Sequence, residues 1–133
     1  MLYFAYGSNL HHEQMKKRCS GCKYLKKYVL KNYQLTFRSE LCVADIEYKQ
    51  GSSVQGALYE ITDKDESCLD KYEDFPILYK KIFFKYEGRD VMAYSMENKT
   101  PFKYPSTRYL NIIKQGYKDC DLDSKFLDEA LKG

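Results

Sequence analysis

The nine residues Leu2-Tyr3-Phe4-Ala5-Tyr6-Gly7-Ser8-Asn9-Leu10 limit what this chain can become more than any other stretch. An aromatic-rich apolar run stops at a small polar turn, and a charged helical pattern follows directly. A run of this kind reads as a short strand buried on both faces. Gly7 removes a side chain where the strand ends, which admits a positive φ or a ligand close to the backbone. Ser8 and Asn9 are both good N-caps for a helix beginning near Leu10. Two readings of the join stand side by side. One is an ordinary strand-to-helix turn; the other is a nest of backbone N–H groups suited to an anion or a developing oxyanion.

A chain of 133 residues is expected to form one domain over residues 1–133, with a core that needs no staples. The buried strand at the very start leaves no room for a signal peptide, and no apolar run reaches membrane-spanning length. The expectation is a cytoplasmic protein without a membrane partner. A net charge of +3, from 22 basic and 19 acidic residues, is too small and too mixed to argue for a nucleic-acid partner. Fourteen tyrosines mean that some hydroxyls are buried and need hydrogen-bond partners. Five cysteines, an odd number, read as reduced thiols. Cys19 and Cys22 have CxxC spacing, but only His11 and His12 lie near enough in sequence to complete a zinc site. The pair also follows a Lys-rich helical segment rather than a strand, unlike a redox motif. No metal is expected.

His11 to Arg18 reads as a short exposed helix, with both histidines on its surface. Tyr24–Phe37 alternates like a strand, and Cys42–Tyr48 reads as another. Gln50-Gly51-Ser52-Ser53 reads as a turn before a strand over Val54–Ile61, where Gly56 marks a bulge or a close approach. Asp63 and Glu66 have capping-box spacing for a helix running to about Tyr72 and burying Leu69 and Tyr72. Glu73, four residues beyond Leu69, leans toward the inward face of that helix or sits at its fraying end. Tyr79–Tyr86 and Val91–Met96 form a hairpin around Glu87-Gly88-Arg89-Asp90. Ser106 or Thr107 caps a helix with Tyr109, Ile112, Ile113 and Gly116 on its apolar face, and a last helix starts near Asp121-Leu122-Asp123-Ser124. Six or seven short strands and four helices make an α+β protein with a partly or fully closed sheet.

The usual catalytic constellations are missing. Two histidines give a Ser-His-Asp triad little material, no Walker or GxGxxG loop is present, and no cysteine has an obvious histidine partner. What is left is the turn Tyr6–Leu10, the acid Glu73 and many tyrosines. Anion-holding amides and one general base suit acyl transfer in which the substrate brings its own nucleophile.

Three ordered blocks carry a family resemblance. The first is Tyr6-Gly7-Ser8-Asn9-Leu10 after the opening strand. The second is Val54-Gln55-Gly56-Ala57-Leu58-Tyr59-Glu60-Ile61, then Leu69-Asp70-Lys71-Tyr72-Glu73, then Tyr79. The third is Ala93-Tyr94-Ser95-Met96, followed by Pro105-Ser106-Thr107-Arg108-Tyr109-Leu110 and Gly116-Tyr117. Together they resemble the γ-glutamylcyclotransferase-like (AIG2-like) family, in a compact form like its bacterial members. The resemblance implies a small mixed β-barrel flanked by helices. It also implies cofactor-independent release of 5-oxoproline and a free amine or amino acid from a γ-glutamyl compound. By position, Glu73 resembles the family's catalytic acid/base, Tyr6, Gly7, Ser8, Asn9 and Leu10 its substrate loop, and Tyr79 and Tyr109 tyrosines of its pocket. The implied partner is a small γ-glutamyl molecule, and the implied state is a monomer or homodimer. The family usually has glycine after the glutamate, where this chain has Asp74. A non-catalytic module binding a small carboxylate or a partner on the same fold is the alternative.

Overall fold

The computed structural model describes residues 1–133. Five strands form one sheet in the order β2-β3-β1-β5-β4: β1 is Leu2–Ala5, β2 Lys23–Arg38, β3 Val43–Glu60, β4 Tyr79–Tyr86 and β5 Arg89–Met96. Four α-helices complete the fold: α1 His12–Arg18, α2 Asp63–Tyr72, α3 Thr107–Asp119 and α4 Ser124–Ala130. The α+β expectation holds, but the strand count and the barrel need correction: the sheet has five strands and stays open.

The miscount has a local cause. The turn is expected at Gln50-Gly51-Ser52-Ser53, but Ser53 is paired and residues 49–52 bulge out opposite Asn32 within one long hairpin, where pairing steps from Lys31↔Ser53 to Tyr33↔Tyr48. Asn32 (φ 66°) and Gly51 (φ 87°) both take the left-handed conformation, and the Asn32 side chain accepts the Gly51 N–H at 3.1 Å. A glycine in a polar run reads as a turn, yet here it lies in a four-residue bulge that lets two strands continue as one. The β4–β5 hairpin turns as expected, on only two residues, Glu87 and Gly88, both at positive φ.

The short strand β1 is the middle of the sheet. It runs antiparallel to β3 (Leu2↔Glu60 to Ala5↔Ala57) and parallel to β5 through Leu2↔Val91 and Tyr3↔Met92 only. All four of its residues are buried, as a strand covered on both faces requires. Gly56 on β3 is a close approach: a Cβ there would stand 2.2 Å from the Ala5 carbonyl oxygen and 2.6 Å from the Phe4 ring. Behind the join, α3 buries Leu110, Ile113, Gly116 and Tyr117, a face rotated slightly from the expected one.

Two caps differ from expectation by small shifts. Thr62, not Asp63, opens α2, and its box partner is Asp65. The Ser8–Leu10 segment is a 3-10 turn without a side-chain cap, and His11 caps α1 by accepting the Gln14 N–H on Nδ1 at 3.2 Å. No helix is long and apolar enough to cross a membrane.

Candidate active site

Beyond Met92 the strands β1 and β5 are no longer paired. Tyr6 bridges the gap from its own side, its hydroxyl donating to the Tyr94 carbonyl at 2.6 Å. A cavity of about 190 Å³ opens there, lined by 14 residues that include Tyr6, Gly7, Ser8, Asn9, Glu73, Tyr79 and Tyr109. Seven of the eight residues singled out from the sequence therefore face one space. Leu10 does not: it is fully buried beneath the turn, and a Cβ on Gly116 of α3 would stand 2.5 Å from its own Cβ. Its part is to seat the turn on α3.

Gly7 has φ −126°, so left-handed backbone is not what the position demands. Space is: a Cβ would lie 3.1 Å from the Ala44 Cβ and 3.3 Å from the Tyr109 hydroxyl. Within the turn the Leu10 N–H donates to Gly7 and the His11 N–H to Ser8. No turn or loop hydrogen bond uses the N–H of Gly7, Ser8 or Asn9, as expected where a helical segment begins.

Glu73 is the C-cap of α2 rather than a residue of its inward face, with φ −84° and ψ 0°. Its backbone N–H closes onto Leu69, while its carboxylate has no hydrogen-bond or ion-pair partner in the protein. The surface it keeps borders the cavity, and the surrounding protein is dense. Burial pushes its carboxyl up from the usual 4.5 to about 7, with Arg18 opposing the rise. The next residue, Asp74, takes φ 52° and does not line the cavity. A left-handed residue explains why glycine suits this position, and aspartate is among the side chains that tolerate it.

Six tyrosines line the cavity, and their hydroxyls are not equivalent. Tyr6 donates to the Tyr94 carbonyl, Tyr79 to the Ala44 carbonyl and Tyr94 to Asp70. Those protons are committed. Tyr109 instead accepts the Ala44 N–H at 3.0 Å, and Tyr3 accepts from the Asn9 amide at 2.9 Å. Each of these two keeps its own proton to donate. Tyr79 and Tyr109 thus grip both polar groups of Ala44, a role the sequence did not suggest. Tyr72, expected in the core, is exposed at the cavity's edge and shares a 3.0 Å hydrogen bond with Ser8.

Arg18 escaped the sequence reading altogether. From the last turn of α1 its guanidinium stands 3.6 Å over the Tyr72 ring and donates to Asn9 Oδ1 and Gln14 Oε1, both at 2.7 Å. It joins the turn to the end of α2 and so holds two walls of the cavity together. His12 also departs from expectation: it is half-buried, with Nε2 3.3 Å from Cys120 Sγ. That thiol is 2% exposed and pushed up to about 12 by burial. It is a structural donor facing the Leu10 carbonyl at 3.5 Å, not an activated nucleophile. All five cysteines are free, and nowhere do three or more His, Cys, Asp or Glu side chains gather to hold a metal.

No curated protein sequence matches this chain significantly. Among solved structures, one described as a gamma-glutamyl cyclotransferase superposes with a TM-score of 0.81 at 26% identity, covering 100% of this chain and 86% of its own. A human protein described as uncharacterized, loc79017, gives a TM-score of 0.79 at 27% identity, covering 99% of this chain and 86% of its own. YkqA from Bacillus subtilis, at 23% identity, shares the fold with a TM-score of 0.81 over 100% of this chain and 54% of its own. The family model described as gamma-glutamyl cyclotransferase, AIG2-like, matches residues 3–116. With that match spanning the turn, Glu73 and the tyrosine walls, the chain belongs to the gamma-glutamyl cyclotransferase, AIG2-like family.

Proposed function

We propose that the protein cyclises a γ-glutamyl compound, releasing 5-oxoproline and a free amine or amino acid, with Glu73 as the general acid/base. The observation that carries this reading is a carboxyl without a protein partner, raised to about 7, lining the same small cavity as the Tyr6–Asn9 turn.

The α-amine of the glutamyl group attacks its own γ-carbonyl carbon, forming the ring C–N bond. Glu73 takes the proton that the amine sheds. The carbonyl electrons move onto oxygen and return as the bond to the leaving nitrogen breaks, and Glu73 delivers the proton to that nitrogen. One carboxyl serves both transfers because the proton taken is the proton returned. A value near 7 lets it accept and release that proton at neutral pH. The attack is intramolecular, so the protein's part is to fold the glutamyl chain into a near-attack shape. The N–H groups of Gly7, Ser8 and Asn9, with the free protons of Tyr3 and Tyr109, supply donors for substrate oxygens without a lysine or a metal. No organic cofactor enters these steps.

Incubating the protein with a panel of γ-glutamyl amino acids and amines, and scoring 5-oxoproline by mass spectrometry, tests the reading. Release of 5-oxoproline at a rate proportional to protein is the expected result. Binding of the panel without any release would instead support a non-catalytic carboxylate-binding role for the same cavity.

A further inference from the structure

Two side chains at the cavity's mouth say what kind of amine leaves. Of the lining residues only Leu41 and Tyr72 are exposed, by 67% and 44%. The cavity itself, about 190 Å³, is smaller than the ~300–1,000 Å³ of sites that enclose a drug-sized ligand. It has room for a short headgroup, and whatever is attached to that headgroup stands at the mouth.

Leu41 is held there by its turn. The Cys42 N–H donates to the Ser39 carbonyl at 3.0 Å, the Leu41 N–H to Ser39 Oγ at 3.1 Å, and the Ser39 N–H to Thr100 Oγ1 at 2.9 Å. A turn so fastened presents an isobutyl group to solvent at the rim of the cavity it lines, where an apolar group on a bound molecule can cover it. Tyr72 is fixed from two sides, by Arg18 over its ring and by Ser8 at its hydroxyl.

Charge points the same way. Glu73 is the only Asp, Glu, Lys, Arg or His among the lining residues. Arg18, the cation that acts on Glu73, has both terminal nitrogens engaged and does not line the cavity. A carboxylate on the leaving amine would lose water against Leu41 and Tyr72 without gaining a cation. An ammonium there would meet a tyrosine ring already covered by a guanidinium.

We infer that the substrates are γ-glutamyl amides whose leaving amine carries an uncharged, apolar substituent, received at the mouth by Leu41 and Tyr72. This rests on the cyclisation reading above and adds the class of amine to it.

The test uses the full chain and four compounds: γ-glutamyl-methylamide, γ-glutamyl-isopentylamide, γ-glutamylglycine and γ-glutamyl-lysine linked through the lysine α-amine. Each is scored for 5-oxoproline and the freed amine. The isopentylamide should exceed the methylamide in kcat/KM by about tenfold, from partial burial of its added methylenes, and should exceed both charged compounds. In Leu41→Ser the isopentylamide-to-methylamide ratio should fall toward one. A flat or inverted order in the parent protein, or an unchanged ratio in Leu41→Ser, overturns the inference while 5-oxoproline formation keeps the cyclisation reading. Absence of 5-oxoproline from all four compounds removes that reading and this inference with it.

Discussion

Asp45 and Glu73 are both carboxylates largely kept from bulk water, and they differ in what meets them. Asp45 is fully buried and saturated: Lys99 Nζ lies 2.9 Å away, Arg38 Nε 3.1 Å, and the Met96 N–H donates at 2.8 Å. Arg38 reaches onward to Glu47 and to the Thr100 carbonyl, both at 2.9 Å. Glu73 has aromatic walls, an open cavity and no partner. Burial of a carboxyl raises its proton affinity unless charges and donors oppose it. The same functional group is therefore a fastener in one place and, on the cyclisation reading, a proton carrier in the other. Asp45 holds the segment whose neighbour, Ala44, is gripped by Tyr79 and Tyr109. The saturated carboxylate keeps in place the wall that the unsaturated one works against.

The largest expected effect separates the two by activity. Glu73→Gln keeps size and hydrogen-bonding length but carries no proton, so kcat should fall by roughly 10²–10⁴-fold. Near-parental turnover, measured as 5-oxoproline release, would erase the distinction. Asp45→Ala should act on stability instead. It takes the fully buried partner from Arg38 and Lys99 and leaves Arg38 only Glu47 and the Thr100 carbonyl, so the loss should approach the roughly 3–5 kcal/mol that breaking a buried ion pair costs. Urea denaturation reads this directly, and a loss under about 1 kcal/mol would show that the network contributes little.

The pH dependence of folding sharpens the contrast further. Glu73's folded value, about 7, lies above its ordinary 4.5, so the folded protein keeps that proton where the unfolded chain has lost it. The resulting stability is fully present below about pH 4.5 and is lost as pH rises through about 7. The amount is at most roughly 3 kcal/mol. Parent and Glu73→Gln should accordingly differ by an amount that changes across that window and is constant outside it. A constant difference from pH 4 to 8 would mean that the carboxyl is not perturbed. The smallest effect belongs to the adjacent acid. Asp74→Asn keeps a side chain that accepts the left-handed backbone and touches no cavity wall, so kcat/KM should stay within about twofold. A larger fall would give Asp74 a share in the chemistry.

Some of this was legible in the chain itself. The opening strand, the turn after it and the four helices follow from periodicity and punctuation; Glu73 stands out by its spacing from Leu69, but its acid/base role is implied by the family resemblance. Short-range signals failed where a distant partner decides. Gly51 has the signature of a turn, and only pairing with the strand that carries Asn32 turns it into a bulge. Tyr72 fits a helix's buried face, but the helix ends there and leaves it on the mouth. Arg18 gave no signal because a Lys- and Arg-rich helix end is ordinary, and its role depends on Tyr72 coming from far along the chain. The pairing of His12 with Cys120 escaped for the same reason, being 108 residues apart. Asp45 was detectable in principle, as a charge interrupting the apolar run Val43-Ala44-Ile46.

The pairing of β1 has a bearing on how the molecule comes together. Of the five strands, the one at the sheet's centre is made before the other four, and its parallel neighbour begins only at Arg89. At about 5–20 residues per second, β1 waits several seconds for that neighbour while the long β2–β3 hairpin, with its more local contacts, assembles ahead of it. The bond from Tyr6 to Tyr94, spanning 88 positions, closes later still. The cavity is thus among the last features to form, and a nascent chain lacks it until its sheet is complete.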